Sequence, residues 1–137
     1  MQIEQSITDR KGKMQYIGKL DRRKLGKYQD KIITEEVVLT EERIKHIKEH
    51  HPGDYETIIK HIKEIIRKPK EILDDLKNKD TIFFIGKVEK NHLNVVVKLN
   101  TTNSDKNPKN SVMTAWIIRE KNLIKLREKH CVIYKEV

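Results

Sequence analysis

Val37 to Pro52 reads V-V-L-T-E-E-R-I-K-H-I-K-E-H-H-P, and within one residue it turns a β-branched strand into a helix. Thr40 is suited to cap that helix, because its hydroxyl can accept from an orphan N–H of the first turn. Glu41 and Glu42 set negative charge against the helix's positive end. The helix is therefore expected to start at Glu41. Leu39 and Ile44 are spaced to staple the entering chain, and Ile44 and Ile47 mark the buried stripe. His46 and His50, four apart, lie one above the other on a neighbouring face. His51 ends the helix, since the residue before a proline is pushed out of the α region. Three imidazoles are thereby gathered at one helix end.

Upstream, Gln2–Thr8 and Met14–Leu20 can pair as a hairpin around Asp9-Arg10-Lys11-Gly12-Lys13. Asp21 to Asp30 is basic and interrupted by Gly26, which suits a connector or a frayed helix. Ile32-Ile33 and Val37-Val38-Leu39 are short β-branched runs, better strands than helices. Downstream, Asp54 is placed to cap a second helix whose Tyr55, Ile58, Ile59, Ile62, Ile65 and Ile66 recur at helical spacing. Pro69 stops it. Pro69 to Leu73 reads as a turn into a sheet.

Thr81–Lys87 and Leu93–Leu99 form an antiparallel hairpin about Glu89-Lys90-Asn91-His92. Leu93, Val95, Val97 and Leu99 share one face of the second strand, so Asn94, Val96 and Lys98 point the other way. Asn100 to Asn110 is polar and aperiodic, a loop of the kind that borders functional sites. Ser111–Ile118 is a further strand, Leu123 and Leu126 belong to a short amphipathic helix, and Cys131–Tyr134 is a last strand. Helices packed on one face of an antiparallel sheet make the chain α+β. Residues 1–36 are expected to belong to the same domain as a core over 37–137.

The 137 residues suit one domain. Lys and Arg number 30 against 21 Asp and Glu, a formal charge of +9 that favours encounter with polyanions, nucleic acid first among them. The lone Cys131 excludes an internal disulfide and suits a reducing compartment. No apolar run approaches a membrane span, and no export signal is evident. A cytoplasmic location is expected.

Two histidines four apart on a helix can share zinc, but H-I-K-E-H-H lacks the H-E-x-x-H pattern and no further ligand set appears. No metal or cofactor is expected. Glycine-rich phosphate loops are absent, and Ser111, between Asn110 and Val112, is not on a nucleophile elbow. Cleavage of RNA without metal fits better. It needs a base for the 2′-OH, an acid for the leaving 5′-oxygen, and fixed cations or hydroxyls for the phosphate. Histidine suits either proton role, Lys98 can hold phosphate oxygens, and Ser111 or Thr114 can donate to them. Ser111 and Thr114 lie an odd number of residues apart, so a regular strand would turn them to opposite faces unless a bulge redirects one.

V-V-L-T-E-E-R-I-K-H-I-K-E-H-H-P-G-D-Y, I-I-R-K-P-K-E-I, V-V-V-K-L, N-S-V-M-T-A-W-I-I-R-E-K and I-Y-K, in that order from about Lys13 to Lys135, resemble the phage nuclease domains grouped with barnase, the tRNase colicins and RelE. The resemblance implies N-terminal helices on one face of a four-stranded antiparallel sheet and a metal-independent ribonuclease of phage or mobile-element origin, with a toxin role among those known for relatives. It points to His46, His51, Lys98, Ser111 and Thr114 as catalytic residues. Lys45, His50, Asn110 and Arg119 are expected to contact RNA. His50 and Lys98 stand where relatives often carry Arg, which weakens bidentate phosphate contact. The partners implied are RNA, tRNA included, and an immunity protein or phage structural protein, with a virion-associated location if the chain is part of a phage particle. The alternative is an RNA-binding or phage structural module on the same fold that has lost catalysis.

Overall fold

The computed structural model describes residues 6–9, 12–101 and 109–137. Strand β3 (Glu36–Thr40) runs straight into helix α1 (Glu41–His50), whose N-cap Thr40 accepts from the Arg43 N–H. His51 closes the helix, its N–H donating to the Ile47 carbonyl. Helix α2 (Tyr55–Arg67) follows, with Ile58, Ile62, Ile65 and Ile66 buried; Asp54 holds its N-cap position but its side chain makes no cap hydrogen bond.

The remaining strands are β1 (Ser6–Asp9), β2 (Gly12–Lys19), β4 (Glu71–Asp74), β5 (Thr81–Val88), β6 (Asn91–Lys98), β7 (Asn110–Ile118) and β8 (Cys131–Lys135), with helix α3 (Glu120–Lys129) before the last. All join one sheet in the order β1-β2-β3-β7-β6-β5-β4-β8. The fold is α+β, but the expected four-stranded antiparallel sheet is corrected to one of eight strands among the described residues, of mixed direction because β3 pairs parallel with β7. One strand escaped notice because β4, Glu71-Ile72-Leu73-Asp74, is buried throughout yet charged at both ends. Glu71 accepts two bonds from Arg127, at 2.8 and 2.7 Å. Asp74 accepts from the Tyr28 hydroxyl at 2.7 Å and pairs with Lys27 at 2.9 Å. Paired charges of this kind conceal a core strand from a hydrophobicity pattern.

The expected N-terminal hairpin is present as β1 and β2; Gln2 and the turn residues Arg10 and Lys11 lie outside the described residues. The basic connector holds two 3-10 turns, Arg22–Lys24 and Gly26–Tyr28. Ile32 makes a single bridge to Thr101, so the strand expected there is reduced to one pair.

Residues opposite one another across paired strands share a face, and the register sorts the core into two layers. On the first face Val95, Val97, Val112, Ala115 and Phe84 meet Ile47, Ile58, Ile62, Ile65 and Ile66 of α1 and α2, with Leu20, Leu25 and Tyr28 in the same cluster. Gly86 lets α2 sit close, because a Cβ there would stand 2.7 Å from Ile65 Cγ1. Ile66 lies against Gly18 of β2. Gly18 and Gly86 lie on strands four places apart in the sheet order, so the sheet curls round α2. On the second face Leu123 of α3 packs with Leu73, Phe83, Ile85, Val96 and Ile118. The N-terminal helices α1 and α2 lie on the first face, and the later α3 covers part of the other. Among the described residues no helix is long and apolar enough to cross a membrane.

Candidate functional site

At the end of α1 the rings of His46 and His50 stack with centroids 4.1 Å apart. The His50 Nδ1 lies 2.9 Å from the His46 carbonyl; a carbonyl only accepts, so Nδ1 carries the proton and Nε2 is left toward solvent. His51, half-buried, has its pKa lowered, first by burial and then by the neighbouring His50, with His46 adding to the effect and Asp54 opposing it. Its neutral form is favoured, the state a proton acceptor needs. Lys45 is exposed and pairs loosely with Glu49 at 4.0 Å.

A second constellation lies on the sheet. Lys98 is opposite Ser111, Val97 is opposite Val112, and Val96 is opposite Thr114, so Met113 is an extra residue in β7. This bulge restores the alternation that an odd spacing breaks, and Lys98, Ser111 and Thr114 all fall on the second face. Val38, paired with Ser111, and Tyr16, paired with Val38, share it. Ser111 is nearly enclosed, at 8 % exposure, and Thr114 is half-buried. Lys98 is exposed, its ammonium donating to the Lys79 carbonyl at 2.7 Å.

The two constellations are not on the same side of the sheet. Ile44 and Ile47 seat α1 on the first face, whereas Lys98, Ser111 and Thr114 occupy the second. They approach each other at the edge of β7. The β3–β7 pairing covers only Val37–Asn110 and Val38–Ser111; β3 goes on pairing with β2 as far as Thr40, where α1 begins. Beyond that point Arg43, one helical turn before His46, reaches the Met113 carbonyl at 3.5 Å, the long limit of a hydrogen bond. The bulge residue and the histidine helix thus meet through Arg43, which the sequence argument did not single out.

Asn110 is corrected. Expected at the RNA surface, it has 0 % exposure, and its amide is consumed by the backbone. Its Nδ2 donates to the carbonyls of Thr34 and Glu36 at 2.8 and 2.9 Å, and its Oδ1 accepts from the Asn100 N–H at 2.8 Å. It clamps the start of β7 to β3 and to the end of the β6 segment. Arg119 is exposed and precedes α3 as its N-cap residue. Next to it, His92 meets the Glu120 carboxylate at 2.6 Å. The polar loop expected between Asn100 and Asn110 lies outside the described residues from 102 to 108.

Asn94 is the opposite of Asn110. It too has 0 % exposure, yet neither its Nδ2 nor its Oδ1 has a hydrogen-bond partner. It faces Ile85 on β5 and Trp116 on β7, on the same face as Thr114. A polar residue inside L-N-V-V-V was the available sign, though nothing in the sequence shows that its amide is unmet. Among the described residues no group of three or more His, Cys, Asp and Glu is arranged to hold a metal ion.

No curated protein and no solved structure matches the chain. A family model does match, over most of the length and across both constellations. By that match, which spans residues 15–125, the chain belongs to the phage-Barnase-EndoU-ColicinE5/D-RelE like nuclease3 family.

Proposed function

We propose that this nuclease is a metal-independent endoribonuclease of phage or mobile-element origin, in which the 2′-OH attacks the adjacent phosphate and leaves a 2′,3′-cyclic phosphate. His51, held toward its neutral form, takes the 2′-OH proton, and His46 returns one to the departing 5′-oxygen. Lys98 offsets the charge gathering on the phosphate, with Ser111 and Thr114 donating to its oxygens. Lys45, His50 and Arg119 hold flanking phosphates. RNA, tRNA included, would lie where α1 meets β7, imidazoles on one side and Lys98 on the other.

The observation that carries this reading is the bulge at Met113. It turns both hydroxyls to the face of Lys98, and its carbonyl meets Arg43 on the histidine helix. The test is digestion of total RNA by wild type and by the His46→Ala/His51→Ala double variant, with the cut ends mapped. The expected outcome is a loss of about 10²- to 10⁴-fold, an unchanged circular dichroism spectrum, and no effect of EDTA. Undiminished cleavage by the double variant would remove the histidines from the mechanism. If Lys98→Ala/Thr114→Ala is then inactive, the chemistry belongs to the sheet face alone.

The separation of the imidazoles from Lys98 by the sheet favours a second reading, an RNA-binding or phage structural module without catalysis. RNA that is retarded but uncut at every pH, with affinity falling steeply as salt rises, is its signature.

A further inference from the structure

Among the described residues Arg22, Arg23, Arg67 and Arg127 each meet a carboxylate, and Arg43 and Arg119 meet none. Arg119 is exposed, whereas Arg43 is half-buried. A cation drawn partly out of water is costly without an anion beside it. The side chain of Arg43 makes one hydrogen bond among the described residues, the 3.5 Å contact to the Met113 carbonyl, so most of its fork of N–H donors is unused. Those donors are not sealed in, because the enclosed side-chain atoms left without a partner belong to Gln15 and Asn94. The residue is nonetheless fixed at both ends. Its backbone N–H donates to the Thr40 hydroxyl at 3.2 Å, and its Nη1 rests on the bulge.

Arg43 also lies where the two constellations approach each other. On α1 it shares a face with His46 and His50, one and two helical turns on. On β7 the carbonyl it touches is bonded to the nitrogen of Thr114, whose side chain is on the face of Ser111 and Lys98. Lys98 reaches the other way: its ammonium donates to the Lys79 carbonyl, close to β5, the neighbour of β6 on the side away from β7.

We infer that Arg43 clamps the scissile phosphate, its guanidinium donating to both non-bridging oxygens with His46 on one side and Thr114 on the other. A planar fork matches a phosphate bidentately, which an ammonium does not. Such a clamp stabilises the charge that gathers on those oxygens as the 2′-OH attacks. The inference rests on the reading of the protein as an RNA-cleaving enzyme, in which Arg43 otherwise has no role.

The test replaces oxygen by sulfur, a weak hydrogen-bond acceptor. RNA carrying one phosphorothioate at the mapped cut, in each of its configurations, is digested by full-length wild type, Arg43→Lys and Arg43→Gln. On ordinary RNA Arg43→Gln is expected to be slower by about 10²- to 10³-fold. Arg43→Lys, which keeps the charge and loses the fork, is expected to fall between it and wild type. Sulfur in at least one configuration is expected to slow the wild type and to slow Arg43→Gln markedly less. A residue that only tethers α1 to β7 would lower the denaturation midpoint and leave the sulfur effect as in wild type, and that result overturns the clamp. Cleavage of ordinary RNA by Arg43→Gln at the wild-type rate does so too. If Arg43→Gln does not fold, the same comparison with Arg43→Lys decides. Histidine-dependent cleavage with an undiminished sulfur effect in the variant would thus keep the ribonuclease and reject the clamp. In a protein that cuts no RNA, calorimetry with inorganic phosphate decides: affinity that falls about tenfold in Arg43→Gln, the loss of a charge-assisted contact, would sustain the clamp and reject the ribonuclease, and equal affinity would overturn the clamp.

Discussion

Asn94 and Asn110 are equally inaccessible and lie on neighbouring strands of one sheet, yet their amides have opposite fates. Asn110 makes three hydrogen bonds to backbone, tying the parallel β3–β7 junction to Asn100. Asn94 makes none. The first region is built to hold, because an amide that satisfies three backbone groups stabilises a junction that a two-pair parallel contact secures poorly. The second region accepts a local energetic deficit between Ile85 and Trp116. Equal burial therefore says little about role; what separates the two amides is what they bond.

The contrast can be broken most decisively at Asn110. Asn110→Leu strands the Asn100 N–H and the Thr34 and Glu36 carbonyls, and is expected to destabilise the fold by about 3 kcal/mol or more in denaturant titration. A loss below about 1 kcal/mol would refute the clamp. Next is Gly86→Ala, on β5 one position beyond the residue that faces Asn94. A methyl group there meets Ile65 side-chain carbon at 2.7 Å, so overpacking is expected to cost about 1–3 kcal/mol. That result would show that the β5–β6 pair is tightly packed on the helix side, so the unmet amide on its other side is not a symptom of a loose core. Asn94→Leu should then be neutral or stabilising by up to about 1 kcal/mol, since replacing an unmet amide by an apolar group of similar shape removes a penalty. Marked destabilisation would mean that the amide is bonded in solution.

The smallest effect expected is electrostatic. His51 has a lowered pKa in the folded state, so between that value and its unfolded value near 6.5 the unfolded chain binds more protons. Stability should be full above about pH 6.5 and fall as pH drops through the lowered pKa. His51→Asn should flatten that slope by a few tenths of a kcal/mol, measured as the change in denaturation midpoint between pH 5 and 7.5.

Local chemistry was legible in the sequence wherever it was self-contained. Thr40 as cap, Pro52 and Pro69 as stops, and the isoleucine stripe of α2 each act within a few residues, and the family resemblance rested on their order. Non-local pairing was not legible. Nothing near Val37 announces that it lies beside Asn110, and β4 was hidden because its carboxylates find partners at Arg127, Tyr28 and Lys27, far along the chain. The candidate site divided in the same way. The stacked imidazoles followed from helical spacing, whereas the bulge that unites Ser111 and Thr114 with Lys98 depends on how β6 and β7 align. Asn110 was misjudged because a polar residue beside a loop looks solvent-facing until its backbone partners are known.

The parallel junction also dictates when an assembled enzyme can exist. Strand β3 emerges from the ribosome more than seventy residues before Asn110, its nearest partner in β7, and such distant pairing is slow to form. Until β7 has been delivered, the Val-Val-Leu strand has only the N-terminal hairpin beside it, and the face that carries Ser111 and Thr114 has not been made. Competence is consequently a late event in synthesis, and a nascent chain stalled before Asn110 would hold the imidazole helix without the strand it borders.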